Sequence, residues 1–94
     1  MRESELERRF CREVEEGGGK PLKFVSPNCR GVPDRLILLP KGRAVFAEIK
    51  RPGGKLRPLQ VYRKGQLEEY GFKVWVIDSV EAISDFCATY FDAV

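Results

Sequence analysis

Leu6, Phe10 and Val14 recur at helical spacing, so the stretch from Ser4 to Glu16 reads as an amphipathic helix. Ser4 fits its N-cap, with Glu7 three residues on in the capping-box position. The run Gly17-Gly18-Gly19 ends it. Pro21 to Val25 is a short candidate strand, and Ser26 to Val32 is a loop rich in turn formers. Asp34 to Leu39 and Arg43 to Lys50 are apolar at successive positions, the pattern of strands in a sheet covered on both faces. After a Gly/Pro loop from Arg51 to Lys55, Pro58 suits the first turn of a helix running to Tyr70, with Gly71 as its stop. Gly65 weakens that helix by about 1 kcal/mol relative to alanine. Phe72 to Ile77 is a strand containing the most apolar run, VWVI. Asp78 or Ser79 caps a final helix reaching about Phe91, with Ile83, Phe86 and Cys87 inward.

The order is therefore αβββαβα. The first three strands are close enough in sequence for an antiparallel meander. Strand, crossover helix and strand then give a parallel pair with a right-handed connection. The expected fold class is α/β, with a mixed sheet flanked by helices.

Composition narrows this picture. The 94 residues make one domain, 1–94, with enough apolar side chains, including Trp75, for a single core. A net charge of +3 is mildly basic and permits nucleic acid among other partners. Histidine is absent, which excludes catalytic triads and imidazole acid–base chemistry. Cys11, Cys29 and Cys87 have no metal-ligand spacing and read as small, partly buried hydrophobes in a reducing compartment. Neither a signal peptide nor a membrane-length apolar run is visible, so a cytoplasmic protein is expected, in the host cytoplasm if viral.

Within these apolar strands Asp34, Glu48 and Lys50 are out of place, and the hairpin decides whether they meet. A two-residue loop of Lys41-Gly42 would set Asp34 against Ile49 and split the carboxylates between faces. The local chemistry favours a three-residue loop. Pro40 is pre-set for the first position of a type I turn, Lys41 tolerates the second, and Gly42 supplies a left-handed third. In that register Leu39 pairs with Arg43, Leu36 with Phe46 and Asp34 with Glu48, and Lys50 follows Glu48 on the same face.

Two carboxylates with Cβ atoms about 5 Å apart repel unless something positive lies between them. Lys50 is one candidate and a divalent cation is the other. Oxygen ligands of this kind, with the backbone carbonyl of Ile49 as a further one, suit Mg²⁺ or Mn²⁺. A lysine beside such an ion can hold or deprotonate a water for attack on phosphorus.

Pro33-Asp34, a short spacer and Glu48-Ile49-Lys50 reproduce the signature of the PD-(D/E)XK nucleases. The longer text KFVSPNCRGVPDRLILLPKGRAVFAEIKRPGGKLRPLQ, Lys23 to Gln60, closely resembles the virus-type replication–repair nuclease family, VRR-NUC. The resemblance continues through VWVID to about Asp78 and takes in the first helix, like a stand-alone, phage-like member. It implies a restriction-endonuclease-like αβββαβ core that hydrolyses phosphodiesters with a metal. It also implies Asp34 and Glu48 as metal ligands and Lys50 as the catalytic lysine. The family's glutamate on the first helix matches Glu7 best, because Glu7 borders the Leu6/Phe10/Cys11/Val14 face; Glu3 and Glu5 match less well. Gln60 matches a family glutamine near the site. The QxxxY pattern of some related exonucleases is not met, since Lys64 stands where tyrosine would be.

Arg51, Lys55, Arg57, Arg63 and Lys64 form the basic rim expected to contact DNA phosphates. The sequence thus points to a Mg²⁺- or Mn²⁺-dependent, structure-selective endonuclease for branched or Holliday-junction DNA, a viral protein of DNA repair. No nucleotide cofactor and no membrane partner are expected. The alternative is a non-catalytic nucleic-acid-binding module, which has no reason to keep the full Asp34/Glu48/Lys50 set. Paired cuts on branched DNA call for two centres, and family members of this kind tend to dimerise. A homodimer is therefore expected, with Tyr90 and Phe91 of the terminal ATYFDAV as its glue.

Overall fold

A computed structural model describes residues 1–91, so the last three residues of ATYFDAV lie outside it. Among the described residues the order is α1 (Glu3–Glu16), β1 (Lys20–Lys23), β2 (Arg35–Leu39), β3 (Arg43–Ile49), α2 (Pro58–Glu69), β4 (Val74–Ile77) and α3 (Val80–Phe91). The strands form one sheet in the order β1-β2-β3-β4. The first three pair antiparallel, and β4 runs parallel to β3. This is the mixed α/β sheet that the hydrophobic pattern predicts.

The hairpin has the expected register: Leu39 pairs with Arg43 and Leu36 with Phe46. Its turn differs in one respect, because Lys41 is itself left-handed (φ 68°, ψ 30°), as is Gly42. A lysine there works against its own Cβ, at about 1–2 kcal/mol.

One face of the sheet is a dry core. Ile37, Leu39, Val45, Ala47, Ile49 and Ile77 project onto Leu6, Phe10 and Val14 of α1 and onto Ile83 and Phe86 of α3. Phe86 is the hub, with ring centroids 5.0 Å from Phe10, 5.1 Å from Trp75 and 4.8 Å from Tyr90. Tyr90 and Phe91 close this core instead of forming an exposed patch. The Tyr90 hydroxyl accepts a 2.9 Å hydrogen bond from Trp75 Nε1. Phe91 packs against Phe86 and over Gly17, where an added Cβ would lie 2.5 Å from its ring. Both rings are half-buried, so much of the surface expected to form an interface is packed inside the chain.

The opposite face is thinly covered, contrary to the expectation of cover on both sides. Leu38 is 39% and Leu22 36% exposed, and α2 has no buried residue. Phe46 packs between Phe24 and Phe72 on this side.

The start of α1 also departs from expectation. Its N-cap is Arg2, with no side-chain cap, and Ser4 lies inside the first turn. Glu3 and Glu5 in that turn complement the helix dipole. Glu7 does not close a capping box, because the Arg35 guanidinium competes for it and a charge-assisted bond is the stronger one. At its other end the chain behaves as predicted, with the Ser79 hydroxyl accepting from the backbone N–H of Ala82 to cap α3.

Candidate active site

Strand alternation places Asp34, Glu48 and Lys50 on the thinly covered face, at the end of the sheet where β2 begins and β3 finishes. The backbone carbonyl of Asp34 accepts from the N–H of Phe24 at 2.9 Å, which extends the β1–β2 pairing to this residue. Its carboxylate Oδ2 accepts from the N–H of Ile49 at 2.8 Å, tying it across to β3. The predicted meeting of Asp34 and Glu48 occurs.

Glu48 is the one buried charged residue among those described, at 3% exposure. Burial pushes its carboxyl up to about 8, helped by a hydrogen bond with the Asp34 carboxyl and by the charges of Asp34 and Glu3; Lys50 acts the other way. At neutral pH, and without a cation, Glu48 therefore keeps its proton, which joins the two carboxyls. Gln60 Nε2 reaches Glu48 Oε1 at 3.5 Å. Gln60 Oε1 accepts from the N–H of Arg57 at 2.8 Å, so the side-chain amide turns its donor toward Glu48. Among the described residues no ion pair joins Asp34 or Glu48 to Lys50 or Arg35, so this is not a strand-edge salt bridge.

Glu7 is not at this site. Its Oε2 lies 2.9 Å from Arg35 Nε and 3.9 Å from Lys23 Nζ. Arg35 alternates with Asp34 along the chain, so the pairing holds Glu7 on the core side of the sheet. The acid on α1 that reaches the sheet end is Glu3, whose Oε1 accepts from the N–H of Arg51 at 3.3 Å and whose charge acts on Glu48. The signal for it lay in the helical stripe: Glu3 occupies the next position N-terminal to Leu6, Phe10 and Val14 on the same face. Among the described residues no three acidic or cysteine side chains converge closely enough to hold a metal ion. What converges is the Asp34–Glu48 pair with the Ile49 backbone between them. A surface cavity of about 540 Å³ runs along α1 past Glu7, Cys11 and Arg35 and does not include the acidic pair.

Of the expected basic rim, Arg51, Lys55 and Arg57 are exposed. Lys64 pairs with Glu68 at 3.0 Å. Arg63 is half-buried, with Nε 2.6 Å from the carbonyl of Arg30 and Nη1 3.2 Å from Gln66 Oε1. None of the three cysteines forms a disulfide, and no described helix is long and apolar enough to cross a membrane.

No family model matches the chain. It is 44% identical, over 84 residues, to "Putative nuclease p44" of Acyrthosiphon pisum secondary endosymbiont phage 1, covering 89% of this chain and 90% of that protein. A solved structure described as "VRR_NUC domain" superposes with a TM-score of 0.87 at 26% identity, over 95% of this chain and 97% of the other.

Proposed function

The chain belongs to the VRR-NUC family, and on that premise we propose that it is a divalent-metal-dependent DNA endonuclease. The observation that carries this reading is the buried Glu48 carboxyl, hydrogen-bonded to Asp34 and pushed up to about 8 at the open end of the sheet. Structural carboxylates are usually paired with a base; this pair is held together by a proton, the smallest available cation. The donor set fits a hard cation: two carboxyls and the carbonyl of Ile49, all oxygen. Asp34, Glu48 and Ile49 would hold Mg²⁺ or Mn²⁺, with Glu3 as the α1 carboxylate nearest to them in place of Glu7. When bound, the ion supplies positive charge that acidifies a water and offsets the charge developing on phosphorus.

The remaining work falls to the chain itself. Lys50, half-buried on the same face, orients the attacking water and offsets the negative charge of the hydroxide it becomes. Gln60 steadies Glu48 through its amide donor. Arg51, Lys55 and Arg57 grip the phosphates flanking the scissile bond, with Lys64 at the edge of that rim. So small a chain has little surface with which to read base edges, so it selects branched or junction DNA by shape. Each chain carries one centre, and paired cuts come from a homodimer. Tyr90 and Phe91, half-buried against the core, offer such an interface only the part of their rings that stays exposed.

Labelled branched and linear DNAs, with and without Mg²⁺ or Mn²⁺, test the reading with wild type and Lys50→Ala. Metal-dependent cleavage, faster on branched DNA and abolished in Lys50→Ala with DNA binding kept, is the expected result. Metal-independent cleavage, or salt-sensitive binding with no cleavage by wild type, would overturn it in favour of a binding module.

A further inference from the structure

The helix that brings Gln60 to the site has an unusual attachment. None of the residues in α2 is buried, and Leu59, Val61 and Tyr62 on it are exposed. A crossover helix is ordinarily fixed by an apolar stripe pressed on the sheet, and that anchor is missing here. Besides its contact with β4 and the approach of Gln60 to Glu48, α2 is tied to the loop leading into Asp34. Arg63 Nε donates 2.6 Å to the carbonyl of Arg30, and Gly31 lies against Leu59. A Cβ at Gly31 would fall 2.7 Å from Leu59 Cγ and 2.9 Å from its carbonyl oxygen, and Gly31 has φ 82°. Backbone and helix thus touch where a side chain would force them apart. The loop itself is firm, since it closes on the Phe24–Asp34 backbone bond and on the fully buried Pro33.

We propose that Arg63 is a positioning residue acting through Gln60. Its guanidinium latches α2 to the Arg30–Gly31 loop, and the latch keeps the Gln60 amide facing Glu48. Arg63 lies one helical turn beyond Gln60, so the fixed point is close to the residue it positions. Two of the five guanidinium donors, Nε and one on Nη1, are engaged by the Arg30 carbonyl and Gln66, so a phosphate would have to compete with the latch for this side chain. Arg63 therefore does not belong with Arg51, Lys55 and Arg57 in the DNA-binding rim. The role of Gln60 in cleavage rests on the nuclease reading above; the latch itself does not.

Arg63→Lys separates the two roles, because it keeps the charge and the helix propensity but loses the planar donor. In the metal-free protein, amide hydrogen exchange across Val61–Gly65 should quicken at least about tenfold as α2 undocks. Gly31→Ala should do the same from the loop side. If exchange in both variants matches wild type, the latch is overturned, whatever the protein's activity. In cleavage assays, Arg63→Lys should lower kcat about tenfold with KM little changed, and combining it with Gln60→Ala should add nothing further. The salt dependence of DNA binding should keep its wild-type slope in Arg63→Ala, whereas Lys55→Ala should lower it by about one. A slope lowered by about one in Arg63→Ala, or additive losses in the double variant, would return Arg63 to the DNA rim. Should wild type cleave nothing, the nuclease reading fails while the exchange result still decides the latch.

Discussion

The two faces of the sheet are built by opposite rules. The α1/α3 face is filled with branched and aromatic side chains and carries the fold's stability. The α2 face is partly open, holds a carboxyl pair of which Glu48 is buried and Asp34 half-buried, and ties its helix with hydrogen bonds. The same strand supplies both: Val45, Ala47 and Ile49 of β3 point one way while Phe46 and Glu48 point the other. Stability and chemistry are thereby kept on separate sides of a sheet one residue thick, and damage on one side need not mean damage on the other.

The sharpest way to break that division is to cut each face once. Phe86→Ala on the closed face should cost about 3–5 kcal/mol, enough to threaten a domain whose whole stability is about 5–15 kcal/mol. Glu48→Gln on the open face should abolish cleavage and yet stabilise the metal-free protein at alkaline pH. The sign follows from the raised carboxyl. Its folded pKa of about 8 exceeds the ordinary 4.5, so the protonated form is favoured by folding. That contribution is full below pH 4.5 and is lost as pH rises through about 8, by an amount on the order of a few kcal/mol. Urea unfolding at pH 5, 7 and 9 should show wild type weakening with pH and Glu48→Gln holding level. Parallel curves would mean that Glu48 is not the buried acid described. Because a bound cation must displace that proton, Mn²⁺ affinity should rise over the same interval.

Next in size is the contrast between the two glutamates of α1. Glu3→Gln should weaken Mn²⁺ binding roughly tenfold, while Glu7→Gln leaves it unchanged and costs about 1 kcal/mol of stability through its pair with Arg35. Calorimetric titration and thermal melts read the two effects, and a reversed pattern would restore Glu7 to the site. The smallest effect concerns the turn that sets the register of both faces. Lys41→Gly should stabilise by roughly 0.5–1 kcal/mol, since it relieves a left-handed lysine. A lower melting temperature would show that the lysine side chain contributes more than its backbone costs.

Much of this was legible in the sequence because it depends on neighbours along the chain. The register of β2 and β3 follows from Pro40 and Gly42, and with it the meeting of Asp34 and Glu48. What escaped depends on partners far away in sequence. Ser4 and Glu7 have the spacing of a capping box, but Arg35, 28 residues on from Glu7, outbids Ser4 for the glutamate. Tyr90 and Phe91 look like surplus aromatics until Gly17, far upstream, leaves room for the Phe91 ring. An apolar strand residue reads alike whether a helix covers it or not, so the bareness of Leu22 and Leu38 left no trace. Arg63 looks like any rim cation until its carbonyl partner in the loop is known.

The alternation of β3 also bears on what becomes of faulty copies of this chain. Inserting or deleting one residue at the start of β3 would carry Glu48 away from Asp34 to the other side and, by the same slip, turn Val45, Ala47 and Ile49 out of the core. A chain misaligned in this way loses its fold together with its chemistry, and cellular proteases remove unfolded chains. Errors of reading frame or length in this strand therefore erase themselves, rather than leaving behind inert proteins that would occupy DNA and shield it from working ones.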